Sequence, residues 1–291
     1  MSDSTENDPA APIRDKVFRA AYESIDHSTV PICFHNDGVM TPDRSGVLLQ
    51  IGSLHFLITA AHVGDDHTIP DAAKQGYAPC VVLPEKGTIP VPIDSDRYMI
   101  TIDRNEDVAV FLLTDETVVR LAKHYRFLRL SHLQSRNHIA NEHAMYLISG
   151  FPQGMVAQEP DAKRMEIWYY LTVLYNGNYD NVPGFIPSTH IVLKYERRTH
   201  NRDGKTIHPP GMSGCGIWFV AHSLTWPLFT AADFRLTGIQ NAWHKDHEYA
   251  RGTWIDVVMK IIWRYYPEAR GPMKLHGMVF EEHPVILSRP S

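Results

Sequence analysis

Cysteine is scarce in this 291-residue sequence: Cys33, Cys80 and Cys215 are the only three, an odd number at wide and irregular spacing. Such a set builds neither a disulfide framework nor a four-ligand zinc site, and reduced thiols in a cytoplasmic protein are the expectation. A surplus of basic residues is missing too, since 28 Lys and Arg stand against 33 Asp and Glu for a formal net charge of -5. That argues against nucleic acid and against a membrane surface as partners. No apolar run approaches the length of a bilayer span. The opening stretch MSDSTENDPAAPIRDK is polar and acidic, without the basic and then apolar regions of a signal peptide. Solenoid-period repeats and low-complexity tracts are also lacking. What remains is an ordinary composition, 44% hydrophobic and 21% charged, that of a globular chain long enough for two lobes.

Residues 1–27 read as a polar tail followed by one short helix, with Phe18, Ala21, Tyr22 and Ile25 at helical spacing behind Pro12. Over 28–125 the texture changes to short β-rich runs such as TVPICFH, SGVLLQIG, HFLITAA, APCVVLP and DVAVFLL, a first β lobe. A stretch rich in charge and histidine begins near 114, and its part 126–143 is expected to link two halves. Strand-like runs resume over 144–266 with AMYLISGF, MEIWYYLTVLY, THIVLKYE, CGIWFV and FRLTGIQNAW, a second β lobe. It closes in a helix from about 254 to 266, where Ile255, Val258, Met259, Ile262, Trp263 and Tyr266 share a face and Thr253 and Asp256 have the spacing of a capping box. Residues 267–291 are punctuated by proline and are expected to run as an extended tail.

The stretch GMSGCGIW, 211–218, sets Ser213 between small residues, as a nucleophile or a plain glycine turn would have it. A nucleophilic serine needs a base, and the base needs a carboxylate to orient it. FLITAAHV puts His62 at the end of an apolar strand, and NEDVAVFLL puts Asp107 at the start of another. Taken singly, these are a buried histidine and a strand-ending aspartate, and Asp103 and Glu106 compete with Asp107 for the carboxylate role.

Taken together, Thr59-Ala60-Ala61-His62, Asp107-Val108-Ala109-Val110 and Gly211-Met212-Ser213-Gly214 resemble the motifs of the trypsin-like (chymotrypsin-fold) serine peptidases, in the order His, Asp, Ser. SGVLLQIG, LISGFPQG and LTGIQNAW extend the likeness, which covers roughly residues 28–266, and the resemblance selects Asp107 over its neighbours. It implies an all-β fold of two antiparallel six-stranded β-barrels, with a short N-terminal helix and a closing C-terminal helix, and a site in the cleft between them. It further implies a serine endopeptidase acting on a protein or peptide, with His62, Asp107 and Ser213 catalytic and the N–H groups of Gly211 and Ser213 forming the oxyanion hole. The specificity pocket would be built from Ile207, His208, Asn241, Ala242 and Trp243, with no carboxylate at its base to favour Arg or Lys. Met212 carries no charge to pair with a new N-terminal ammonium, so no activation by N-terminal cleavage is expected, and Met212 is expected to pack as an apolar plug.

The competing readings are few. Cys215 lies two residues past the serine and reads as a small core residue, and its presence breaks the G-x-S-x-G elbow of the α/β-hydrolases. His244 and His247 near Asp246, and the linker residues His124, His132, His138 and His143, have no recognised ligand spacing, so neither a metal nor a cofactor is expected. A catalytically silent binding or regulatory module on the same fold is the alternative function. No PDZ-type module fits after residue 266, so a regulatory protein partner would act through the tail, the N-terminal helix or the barrel surface.

Overall fold

The computed structural model of the chain describes residues 11–36, 39–63, 67–68, 78–83, 90–93, 99–103, 106–136, 144–152, 156–159, 162–195, 210–221, 229–244 and 247–281. The apolar and β-branched runs of the first half form β1 Thr29–Asn36, β2 Val39–Ile51, β3 Leu54–Thr59, β4 His62–Val63, β5 His67–Thr68, β6 Ala78–Val82, β7 Pro90–Pro92, β8 Met99–Asp103 and β9 Val108–Leu112. Seven of them make one antiparallel sheet in the order β7-β6-β1-β2-β3-β9-β8, while β4 pairs with β5. That is one strand more than the resemblance implied. The short β7, with proline at both ends, sits at the sheet's edge, where a missing N–H breaks no ladder.

The second half contributes β10 Met145–Gly150, β11 Val156–Glu159, β12 Ala162–Met165, β13 Trp168–Val173, β14 His190–Lys194, β15 Gly216–Val220, β16 Phe234–His244 and β17 Tyr249–Trp254. Six of these form the other antiparallel sheet, β13-β10-β15-β16-β17-β14, and β11 and β12 pair by themselves.

The central strands are apolar on both faces because each face has its own core. Leu57, Ala109 and Phe111 pack inside the first lobe, whereas their neighbours Phe56, Ile58, Val108 and Val110 face the seam between lobes. Tyr146, Ile148 and Ile217 likewise fill the second lobe, while Leu147 and Trp218 join the seam. This two-sided burial turns the usual strand alternation into continuous hydrophobic runs.

Among the described residues four helices surround the sheets. α1 Ala11–Ser24 feeds Val17, Ala20 and Ala21 into the seam and stacks Phe18 on Tyr169 of the second lobe, with ring centroids 5.6 Å apart. α2 Asp115–Leu121 stands in the charged stretch that begins near 114, within the part assigned to the first β lobe. Its start is encoded in TDET: the Thr114 side chain accepts from the Thr117 N–H, and Asp115 and Glu116 suit the positive end of the helix. α3 Ile255–Tyr265 is the expected closing helix, but the capping box is absent. Thr253 belongs to β17 and donates its hydroxyl to the Glu106 carbonyl at 2.5 Å, while Asp256 accepts from Ser135 Oγ at 2.6 Å and Arg136 N–H at 2.9 Å. Both side chains are spent on tertiary contacts instead. The segment after 266 is also more regular than an extended tail, with a 3-10 turn Pro267–Ala269 leading into α4 Arg270–Leu275. Tyr266 reaches the first lobe, its hydroxyl 3.0 Å from Thr101 Oγ1 and its ring edge-on to Phe56 at 5.0 Å. Among the described residues no helix is long and apolar enough to cross a membrane.

Candidate active site

Asp107 sits in the tight turn between β8 and β9 with φ +51°, a left-handed conformation that a non-glycine residue holds only where its surroundings impose it. The turn aims the carboxylate at the end of β3. There Oδ1 accepts from the backbone N–H groups of Ala61 and His62 at 3.1 and 3.0 Å. His62 Nδ1 lies 2.9 Å from Oδ1 and 2.7 Å from Oδ2. One carboxylate therefore fixes both the main chain that carries the histidine and the ring itself. Nδ1 must hold the proton in this arrangement, which leaves the Nε2 lone pair free. The side chains of His62 and Asp107 are 30% and 20% exposed, so the pair opens toward solvent on one side. Asp103 and Glu106 are placed otherwise: Asp103 Oδ1 accepts the Glu106 N–H at 3.2 Å, and burial pushes the Glu106 carboxyl upward.

Ser213 comes from the other lobe, on the loop before β15, and its Oγ lies 3.2 Å from His62 Nε2. Glycine is required on both sides of that serine. Gly211 has φ +94° and Gly214 φ +86°, and a Cβ at Gly214 would run into Thr59 Oγ1 and the Ser45 carbonyl. The Gly214 N–H donates to the Gln240 carbonyl at 2.7 Å and the Cys215 N–H to Met212 at 2.9 Å. Among the described residues the N–H groups of Gly211 and Ser213 have no acceptor. Met212 is buried in the second-lobe core, as is Cys215, whose thiol burial pushes far up. An inaccessible neutral thiol two residues along is no rival to the Ser213 hydroxyl.

Histidine and aspartate from one antiparallel β lobe meet a serine from the other, across the seam. The fold is chymotrypsin-like. No family model matches the sequence, and neither does any curated protein. Among solved structures the chain is similar to one described as catalytically active tobacco etch virus protease complexed with product. That likeness has 11% identity and a TM-score of 0.44, covering 85% of this chain and 81% of that one. A second is described by the coupled folding and binding, driven by aromatic interactions, of the intrinsically disordered Sesbania mosaic virus VPg protein. It has 12% identity and a TM-score of 0.41, covering 82% of this chain and 89% of that one. At such values the site of this chymotrypsin-like chain rests on its own geometry.

The residues expected to build the specificity pocket are placed as follows. Ile207 and His208 lie outside the described residues. Asn241, Ala242 and Trp243 are on β16 beside the serine loop. The Asn241 amide is buried and donates to Thr253 Oγ1 at 3.0 Å, and the half-buried Trp243 ring packs edge-on to Tyr195 at 5.9 Å. Among the described residues no three His, Cys, Asp or Glu side chains gather as a metal would need.

Three further residues shape the site. Arg44, inside β2, is buried, paired with Asp43 at 2.6 Å, and donates to the Ala60 carbonyl at 3.0 Å, two residues before His62. Burial pulls its guanidinium downward while Asp43, and more weakly Asp107, push it back. Gln240 holds Gly214 through its carbonyl. Ser45, fully buried, touches the serine loop directly. The one local signal for any of these is a charge, Arg44, at the entrance to the apolar run of β2.

Proposed function

We propose that the protein is a serine endopeptidase that cleaves peptide bonds of protein or peptide substrates through an acyl-enzyme. The observation that carries this reading is the single imidazole bridging two lobes, with Nδ1 2.7 Å from the Asp107 carboxylate and Nε2 3.2 Å from Ser213 Oγ. In this reading Nε2 takes the serine proton as Oγ attacks the scissile carbonyl, and returns it to the leaving amine. Asp107 keeps the proton on Nδ1 and stabilises the imidazolium. The N–H groups of Gly211 and Ser213 receive the developing oxyanion, and a donor of this kind is worth about 10²–10³ in rate. Water then attacks the acyl-enzyme by the same proton path in reverse, releasing the acid and restoring Ser213.

Labelling with a fluorophosphonate probe, followed by mapping of the modified residue, tests the reading together with hydrolysis of a peptide library. The intact chain is expected to label on Ser213, and Ser213→Ala to lose label and turnover while Cys215→Ser keeps both. Turnover that survives Ser213→Ala, or a chain that neither labels nor hydrolyses, overturns the proposal; the second result leaves the silent binding module.

A further inference from the structure

Ser45 belongs to β2 of the first lobe, yet most of its polar atoms are spent on the segment around Ser213. Its Oγ donates to the Gly211 carbonyl at 3.1 Å and accepts the Phe151 N–H at 2.9 Å, and its own N–H donates to the Ser213 carbonyl at 2.9 Å. Its carbonyl accepts the Thr59 hydroxyl at 2.7 Å, which ties the same point to the strand leading to His62. The side chain is fully buried.

We propose that Ser45 is a positioning residue that holds the Gly211–Ser213 loop in shape for the oxyanion by gripping it from the opposite lobe. The inference rests on the serine-peptidase reading and concerns how that same site is kept in working order.

The need for such a grip follows from the loop's own bonding. Its C-terminal half is tied to its own lobe, through Gly214 to Gln240 and through Cys215 to Met212. Its N-terminal half begins at Gly211, with φ +94° and no side chain to restrict it. A glycine there reaches the conformation without strain but reaches others as easily, so the residue permits the loop without specifying it. Because the peptide group is planar, fixing the Gly211 carbonyl fixes the plane of the 211–212 link. Among the described residues the Ser45 hydroxyl is the group that binds that carbonyl.

The direction of the hydroxyl is itself determined. Phe151 donates into one lone pair, so the single O–H of Ser45 is turned away from Phe151 and onto the Gly211 carbonyl. The site leaves little space for a substitute. A Cβ at Gly150 would come 2.8 Å from Ser45 Oγ, 2.6 Å from Cys215 Cβ and 3.2 Å from Met212 Sδ. Deleting the oxygen therefore leaves the carbonyl of buried Gly211 and the N–H of half-buried Phe151 without these partners.

The test compares the full-length chain with Ser45→Ala, using fluorophosphonate labelling and hydrolysis of p-nitrophenyl acetate well below the melting temperature. We expect the labelling rate constant and kcat to fall about ten- to hundredfold, a share of what one oxyanion donor contributes. KM and the pH midpoint set by His62 are expected to stay in place, a split that general loosening of the structure does not produce. A folded Ser45→Ala that labels within twofold of the parent overturns the inference, as does a loss accompanied by a moved pH midpoint. If Ser45→Ala fails to fold, Ser45→Cys, whose thiol is a weaker donor, is read by the same criteria. A parent chain that takes no label defeats the peptidase reading instead. Amide hydrogen exchange then still decides the role of Ser45: faster exchange confined to Phe151 and 211–214 in the variant upholds it, and unchanged exchange overturns it.

Discussion

Replacing Asp107 with asparagine exchanges one carboxylate oxygen for an amino group at nearly constant volume. The outcome depends on which way the amide turns. The N–H groups of Ala61 and His62, at 3.1 and 3.0 Å from Oδ1, can be met only by an oxygen. The amide nitrogen is thereby directed to the place of Oδ2, 2.7 Å from His62 Nδ1. There it donates to the ring, forcing the imidazole proton onto Nε2, the nitrogen 3.2 Å from Ser213 Oγ. An Nε2 that already carries a proton cannot accept one from the serine. The expected loss in turnover is about 10⁴, equivalent to about 5.4 kcal/mol of barrier at about 1.36 kcal/mol per decade. The backbone bonds to Ala61 and His62 survive, so the loss in folding stability should stay under about 1.5 kcal/mol, the scale of one net hydrogen bond. Second-order labelling by a fluorophosphonate, with peptide hydrolysis and denaturant unfolding alongside, reads both quantities. A loss of less than tenfold in a folded Asp107→Asn chain would refute the tautomer argument, and a loss that tracks unfolding would refute the claim that the backbone contacts are kept.

Gly214→Ala is expected to destabilise the fold by about 3 kcal/mol or more, because it adds a left-handed alanine to a collision with Thr59 Oγ1 and the Ser45 carbonyl; denaturant midpoints equal to the parent's would show that the two lobes do not meet there as described. Asp26, which accepts a hydrogen bond from Tyr169, is lifted by burial to about 8, well above an unfolded aspartate. Its contribution is full below about pH 4 and is lost as pH rises through about 8, since the native state keeps a proton that the unfolded chain releases. Asp26→Asn should therefore flatten the fall in melting temperature across that window, and parallel curves for the two proteins would contradict the assignment.

His62, Asp107 and Ser213, which the structure brings together, could be picked out in the sequence because each sits in a few distinctive adjacent residues. Small Ala60 and Ala61 precede His62, a buried run follows Asp107, and glycines flank Ser213. The closing helix was legible for a related reason, its apolar face repeating within α3 itself. Ser45 was not, since its partners at Phe151 and Gly211 lie 106 and 166 residues away and a serine ahead of an apolar run has no local mark. The capping box misled because Thr253 and Asp256 have the right spacing, yet partners from distant segments, Glu106, Ser135 and Arg136, claimed their side chains. α2 was passed over although TDET announces its cap, the stretch from 114 having been noted only for its charge and histidine.

The two ends of the described chain are exchanged between its halves. α1, ahead of the first lobe in sequence, lies against the second through Phe18 and Tyr169, while Tyr266 and the segment after α3 close over Phe56 and Thr101 of the first. During synthesis, neither half can be completed when its own strands have emerged. α1 waits for a docking surface not yet translated, and the earlier lobe keeps part of its seam uncovered until α3 and the segment after it leave the ribosome. Contacts of such long sequence separation favour slow, late assembly and tie both halves into one unfolding transition. A nascent chain carrying His62 and Asp107 thus brings them to Ser213 only after strands of both lobes have emerged and docked across the seam.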